Sequence, residues 1–383
     1  MDNKLYVSSS PHIRSDVSIK KVMWTVNISL IPAIIASYLF FGLWAIILIL
    51  ISVITALVSE YIVQKVLKKP ITISDGSAVI TGILLAFTIP SHSPWYVPVI
   101  GTVVAIVIAK HFFGGLGFNI FNPALIGRAF LLSAYPVIIT GGFMAPQYTD
   151  AYQEYLQFKS QPQKEVKVYQ FKYDVSTLTK QDVSEIKAEA GQDELLLKEI
   201  DAVASATPLH ALKIAKEDKL DKSIETTLVR KQNLWKLFIG KRGGCLGENS
   251  ILALLIGAII LLYFGYITWH IPVVYILTVF IFTFIYEFFT DQIYLVPVFY
   301  IISGGLILGA FFMATDMVTS PMTSTGKIIF GIGCGFLTSV IRIWGGYPEG
   351  VSYSILVMNS VVPLIDKLTR RKIFGYKKEV KIT

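Results

Sequence analysis

Apolar residues fall in ten runs along the chain, at about 22–41, 43–64, 77–90, 95–112, 122–140, 248–268, 271–289, 293–313, 326–344 and 351–368. All but the third are long enough for a helix to cross a hydrocarbon layer of roughly 30 Å. The third ends at Pro90 and is short, so it reads as a half-helix. Gly42 separates the first two runs, and a polar stretch of about a hundred residues separates the fifth from the sixth. The pattern predicts an all-α polytopic membrane protein. It has about ten transmembrane helices in a first membrane half (1–140) and a second (248–383), with a soluble insert (141–247) between them.

The two halves share a plan. In the first, "SHSPWYVP", a span and "KHFFGG" lead into "NPALIGRAF". In the second, "SGGLILGAF", "TDMVTSPMTSTG", a span and "RIWGG" lead into the last helix. Five spans per half is an odd number, so the second copy is inverted, an arrangement that places ligand sites near the shared interface and on broken helices. The alternative is that Gly, Pro and apolar residues make any two membrane segments look alike.

Composition agrees with the pattern. The chain is 54% hydrophobic and 16% charged, against roughly 25% charged in soluble domains. The net charge of +8 sits at membrane-flanking positions, which points to topology and anionic lipid and not to nucleic acid. The N-terminus is polar, with Lys4, Arg14, Lys20 and Lys21, and no cleavage site follows the first run, so that helix is read as a retained anchor. The groups Lys4–Lys21, Lys65–Lys69, Lys110 and Lys367–Lys372 share one side if both termini are cytoplasmic. The insert is then extracytoplasmic, although Arg230, Lys231, Lys236, Lys241 and Arg242 near the sixth run pull mildly the other way.

Candidate chemistry is sparse. Cys245 and Cys334 have no metal-ligand spacing, and a cluster held by this chain alone is not expected, since clusters usually take four thiolates. His92, His111 and His270 lie far apart, and "GGLGFNIFNPALIG" lies between spans, so it is no dinucleotide fingerprint. Arg128 is a charge within an apolar run and needs a partner: a flavin phosphate, a carboxylate at the repeat interface or a salt bridge to another helix. Asn122-Pro123 starts that helix and frees N–H groups for an anion. Asp75 and Asp316 hold matching places near helix starts. With Thr315 and Thr319 they are weak candidates for a sodium site, and helix capping is the competing reading. Glu349 is expected to pair with Arg342 or to lie at a subunit contact, and Trp95, Trp269 and Trp344 read as belt anchors.

In the insert, "DAVASATPLHALK" (201–213) surrounds Thr207 with small residues. Thr207 followed by Pro208 suits a helix start, and its hydroxyl also suits an ester acceptor. Taken with "LYVSSSPHIRSDVSIKKVMW", "SDGSAVITGILLAFTIP", "GGLGFNIFNPALIGRAF", "FFMATDMVTSPMTSTGK" and "IRIWGGYPEGVSYSILVMNSVVPLID", the chain resembles the D subunits of Rnf complexes. These complexes are ion-translocating ferredoxin:NAD oxidoreductases, and their D subunits are homologous to the B subunits of the sodium-translocating NADH:quinone reductases. The resemblance covers nearly all of the chain except about 145–197. It implies FMN joined to Thr207 through a phosphoester by an extracytoplasmic flavin transferase, with Asp201, Ser205 and Ala206 completing the acceptor motif. Ala204 departs from that motif, where Ser or Thr is frequent. The resemblance further implies a bacterial cytoplasmic membrane, partner subunits bearing a second FMN and iron–sulfur clusters, and NAD and ferredoxin handled by those partners. A second flavin on this chain, and sodium against protons, stay open. So do the quinone-reductase type and a channel or transporter without redox chemistry.

Overall fold

The computed structural model describes residues 17–141, 231–240, 243–289, 296–345 and 349–370. Thr207 and the rest of its motif lie outside them. Ser18 accepts from Lys21 N (3.2 Å) and starts helix α1 (Ile19–Ser29), which continues past Leu30 as α2 (Ile31–Phe41). Gly42, at φ +75°, lets the chain reverse into α3 (Leu43–Val66). Three shorter helices follow: α4 (Ser77–Phe87), α5 (Tyr96–His111, whose second half is π-helical) and α6 (Pro123–Ala134), with the short α7 (Pro136–Gly141) behind it. Helix α8 (Lys231–Ile239) lies near the end of the region 141–247, and the second half contains α9 (Ile251–Tyr263), α10 (His270–Phe289), α11 (Val296–Ile302), α12 (Leu306–Met313, largely π-helical), α13 (Ser324–Trp344) and α14 (Val351–Leu368).

Among the described residues, five helical segments are long and apolar enough to cross a membrane: α1 with α2, α3, α10, α13 and α14. A sixth arises if α11 and α12 count as one span, but they meet at 61°. The remaining apolar helices α4, α5, α6 and α9 are shorter. At 1.5 Å per residue, the 11-residue α4 reaches about 16 Å, half of a hydrocarbon layer.

The shortening has local causes. The run expected at 122–140 is broken at Tyr135, because Pro136 disfavours helical geometry in the residue before it. The run expected at 293–313 bends at Ser303–Gly305, where Gly304 takes φ +66°. The run expected at 248–268 is trimmed by the Ser250 cap at one end and by Gly265, at φ +70°, at the other.

The halves meet along a seam in which α1 and α2 pack on α9, and α6 packs on α14. The segment Cys245–Gly247, a bridge residue running into a turn, closes the far end of α4. Leu246 N donates to Ile89 O and Gly247 N to Phe87 O, both at 3.0 Å, and Ser37 Oγ donates to Leu246 O at 2.7 Å. The carbonyls that α4 leaves without a donor one turn on are thereby satisfied. Hydroxyls tie helices within each half: Ser52 to Thr102 (2.8 Å) and Gly82 O (2.7 Å) in the first, Tyr275 to Thr338 (2.6 Å) and Ser354 (3.0 Å) in the second.

The contact of α9 with α1 needs a residue without a side chain. A Cβ on Gly257 would lie 2.0 Å from Ser29 O. Gly257→Ala is expected to cost about 1–3 kcal/mol through forced separation of the helices, read as a lower midpoint of thermal unfolding in detergent.

Candidate functional site

Two polar clusters lie along the seam. The first surrounds a cavity of about 100 Å³, walled by Lys110, Asn119 and Asn122 from the first half and by Phe312, Thr315 and Asp316 from the second. Lys110 is carried inward on the π-helical turns of α5, a distortion that re-aims side chains. Its Nζ donates to Glu60 Oε2 on α3 and to Ser77 Oγ on α4, both at 2.7 Å, and Lys110 and Glu60 are 2% and 1% exposed. Ser77 Oγ in turn donates to Asp75 Oδ1 (2.7 Å), and Gln64 Nε2 donates to Glu60 Oε1 (3.1 Å). Asn122 caps α6 by accepting from Ala124 N (3.1 Å) and Leu125 N (3.4 Å), and its Nδ2 donates to Met313 O across the seam (3.2 Å). Asn119 Oδ1 and both ring nitrogens of His111 are buried without a hydrogen-bond partner.

The sodium candidates divide accordingly. Thr315 and Asp316 line the cavity, and Asp75 stands behind Ser77, which also lines it. Both aspartates make capping bonds: Asp75 accepts from Ser77 N (2.7 Å), and Asp316 accepts from Val318 N (3.4 Å) and Thr319 Oγ1 (3.2 Å). Thr315 Oγ1 donates to Phe311 O at 2.6 Å.

The second cluster seals the opposite end of the seam. Arg128, buried on α6, donates to Thr88 O at the end of α4, lies 3.7 Å from Cys245 Sγ and forms an ion pair with Glu349 Oε2. Glu248 Oε1 accepts from Cys245 N at 3.0 Å. The ligand atoms of Cys245, Glu248 and Glu349 lie within 4.8 Å of one another, a donor set suited to a metal ion. Here the Arg128 guanidinium supplies the positive charge of the cluster.

The expected Glu349–Arg342 pair is not what forms. Arg342 donates to Tyr300 O and to Ser303 O (3.3 Å), the carbonyls that the break between α11 and α12 leaves without helical donors, and Glu349 is bonded to Arg128 instead. Arg342 stays close enough to act on Glu349 through its charge. Burial and the neighbouring Glu248 raise the Glu349 carboxyl to about 7, against the lowering effect of Arg128 and Arg342.

Sequence reasoning found Arg128 and its need for a partner but missed Glu60, Lys110 and Glu248. Lys110, counted among the loop charges that set the orientation, is buried in an ion pair and drops out of that count. Its signal was present: Glu60 and Lys110 both lie inside apolar runs, where an ionisable residue marks a paired or functional group.

Removing one member of a buried pair strands the other. Arg128→Gln removes the cation bonded to Glu349 and is expected to cost about 3–5 kcal/mol. Adding Glu349→Gln should recover more than half of that loss, with thermal midpoints of both variants in detergent as the measurement.

Comparison with known proteins gives a single answer over the full length. The profile of the NQR2, RnfD, RnfE family matches residues 6–375. The chain is 42% identical over 382 residues to the D subunit of the Na(+)-translocating ferredoxin:NAD(+) oxidoreductase complex of Acetobacterium woodii, covering 98% of each chain. It is 43% identical over 376 residues to the D subunit of the proton-translocating ferredoxin:NAD(+) oxidoreductase complex of Clostridium ljungdahlii, again 98% of each. To the D subunit of the ion-translocating oxidoreductase complex of Aliivibrio salmonicida it is 35% identical, over 97% of this chain and 99% of that one. The chain therefore belongs to the NQR2, RnfD, RnfE family.

Proposed function

We propose that this chain is the flavin-carrying membrane subunit of a redox-driven, ion-translocating ferredoxin:NAD oxidoreductase, with FMN esterified to Thr207. The observation that carries the reading is the likeness at 42–43% identity, over 98% of the chain, to D subunits named for that activity. The motif Asp201, Ser205, Ala206, Thr207 supports the flavin. The seam of buried charges supports ion coupling, because charged groups in a membrane interior mark ion or proton routes. In this reading the chain has ten spans in two inverted halves in a bacterial cytoplasmic membrane. Both termini are cytoplasmic, and residues 141–247 face outward, where a flavin transferase reaches Thr207. Iron–sulfur and second FMN-bearing subunits, and anionic lipid, are its partners.

Bound FMN would supply one- and two-electron transfer. The chain's own described residues supply the scaffold. Arg128 and Asn122, the sequence candidates for phosphate contact, direct donors to Thr88 O, Glu349 and Met313 O within the seam. They fit a structural role there better than a phosphate contact, so the reading rests the FMN phosphate on the Thr207 ester. The low-dielectric seam keeps water from the Lys110–Glu60 pair, which strengthens it.

The family description also includes NQR2, so a quinone-reductase subunit is the second reading. NAD reduction by ferredoxin, against quinone reduction by NADH, in the purified complex separates the two. A sodium requirement for that turnover, or its absence, assigns the ion. A channel without redox chemistry predicts solute flux and an unmodified chain.

Intact mass of the protein from cells containing the transferase is expected to exceed the sequence mass by one esterified FMN, with a flavin-fluorescent band in denaturing gels. Both signals should vanish in Thr207→Ala. A band that persists in that variant places the flavin elsewhere. Flavin released on denaturation, beyond the covalent equivalent, identifies a second one.

A further inference from the structure

We propose that the rim formed by the start of α1 and the turn after α3 is a headgroup site for an anionic phospholipid, with Lys68 at its centre. Helix α3 ends in the hydrogen-bond pattern of a Schellman motif: Lys69 N donates to Gln64 O (2.9 Å) and Lys68 N to Lys65 O (3.2 Å). The residue just past the cap of that motif takes the left-handed conformation and is usually glycine. Here it is Lys68, at φ +52°, and among the described residues no other non-glycine has a positive φ. A β-carbon in that conformation crowds the following carbonyl, and an outlier of this kind points to a use for the side chain.

The same rim carries a second misfit. Lys20 and Lys21 occupy the first turn of α1, which holds no acidic residue and where the helix dipole disfavours cations. The segment Thr72–Ser74 ties the two helix ends together. Gln64 on α3 accepts from Thr72 N (2.9 Å) and donates to Thr72 Oγ1 (2.8 Å), and Trp24 on α1, one turn after Lys20 and Lys21, donates to Ser74 O (3.2 Å). Residues 17–76 contain five lysines, at 20, 21, 65, 68 and 69, all exposed, against two acids. Glu60 is buried on Lys110, and Asp75 is held by Ser77. None of the five lysines pairs with a described carboxylate. Lys69 is positioned by its bond to Gly114 O (2.7 Å) and Lys65 by the Tyr61 ring, 5.7 Å from its centroid.

The side chains between the lysines decide the kind of anion. Val66, Leu67 and Ile71 are exposed, as are Trp24 and Tyr61. A free phosphate would leave them in water. A phospholipid covers them with its acyl chains while its phosphate meets the ammonium groups, and the two aromatic rings sit at headgroup level. The start of α1 and the end of α3 are the adjoining ends of two consecutive spans, so the rim lies at the surface of the layer. The site rests on the membrane placement in the proposed function and names where its anionic lipid is held.

Full-length protein in neutral detergent is titrated with phosphatidylglycerol, or with phosphatidylcholine of the same acyl chains, and the midpoint of thermal unfolding is followed. Phosphatidylglycerol is expected to raise the midpoint and phosphatidylcholine to leave it in place. In Lys68→Gly the half-saturating concentration should rise about fivefold, the contribution of one lysine near an anionic surface, and in Lys20→Gln with Lys21→Gln about twenty-five-fold. The lipid-free midpoint of Lys68→Gly should equal or exceed that of the parent, because glycine fits the left-handed position. A lower one would mean that a contact inside the chain holds Lys68, and would overturn the site. Lys236→Gln, the same charge change on α8, should leave the titration unchanged. An equal response to phosphatidylcholine or to inorganic phosphate, an unaltered titration in Lys68→Gly, or an equal loss in Lys236→Gln each overturns it as well. The measurement involves neither flavin nor turnover, so its failure leaves the Thr207 ester and the redox reading untouched, and loss of the Thr207 adduct leaves the lipid site untouched.

Discussion

A charge inside a protein that spans a membrane must have its counter-charge within reach, and the described structure is arranged around that constraint. Solvation by water is lost and the surrounding lipid replaces none of it. Lys110 therefore sits on Glu60, and Arg128 on Glu349. Each pair joins residues from different helices or from a helix and a loop, so charge pairing also decides which elements are neighbours. The first pair holds α3 and α5 together inside one half. The second crosses the seam.

Broken helices follow from the same physics. A helix that stops within the layer leaves carbonyls that water does not reach, and the ends of α4 and α11 in the seam each have a donor brought to them. The end of α4 receives the backbone of Leu246 and Gly247 together with the Arg128 guanidinium, and the end of α11 receives Arg342. Arginine suits the task because its fork serves a carbonyl and a second acceptor at once. Arg128 thus satisfies Thr88 O and Glu349 simultaneously.

The apolar runs were legible in the sequence because one face or all of each helix meets lipid or core, and a run of that length has few other uses. Where the runs stop was less legible: Gly304 and Pro136 break helices that hydropathy alone carries through. The need of Arg128 for a partner could be read from its apolar surroundings, but the partner could not. Glu349 lies 221 residues away, and its nearer candidate Arg342 is committed to carbonyls at a break that hydropathy does not reveal. Lys110 was read as a loop charge because it lies near the end of an apolar run, and the π-helical turns bring its ammonium inward. Thr207, outside the described residues, stands on its sequence motif alone.

The pairing of Cys245–Gly247 with the end of α4 has a mechanical consequence. This stretch lies just before α9, at the end of the region 141–247. A displacement of this stretch is passed to the carbonyls of Phe87 and Ile89 and, through the neighbouring Thr88, to Arg128. The short stretch is therefore a lever on the half-helix and on the ion pair beside it, with no further side chain needed to carry the force.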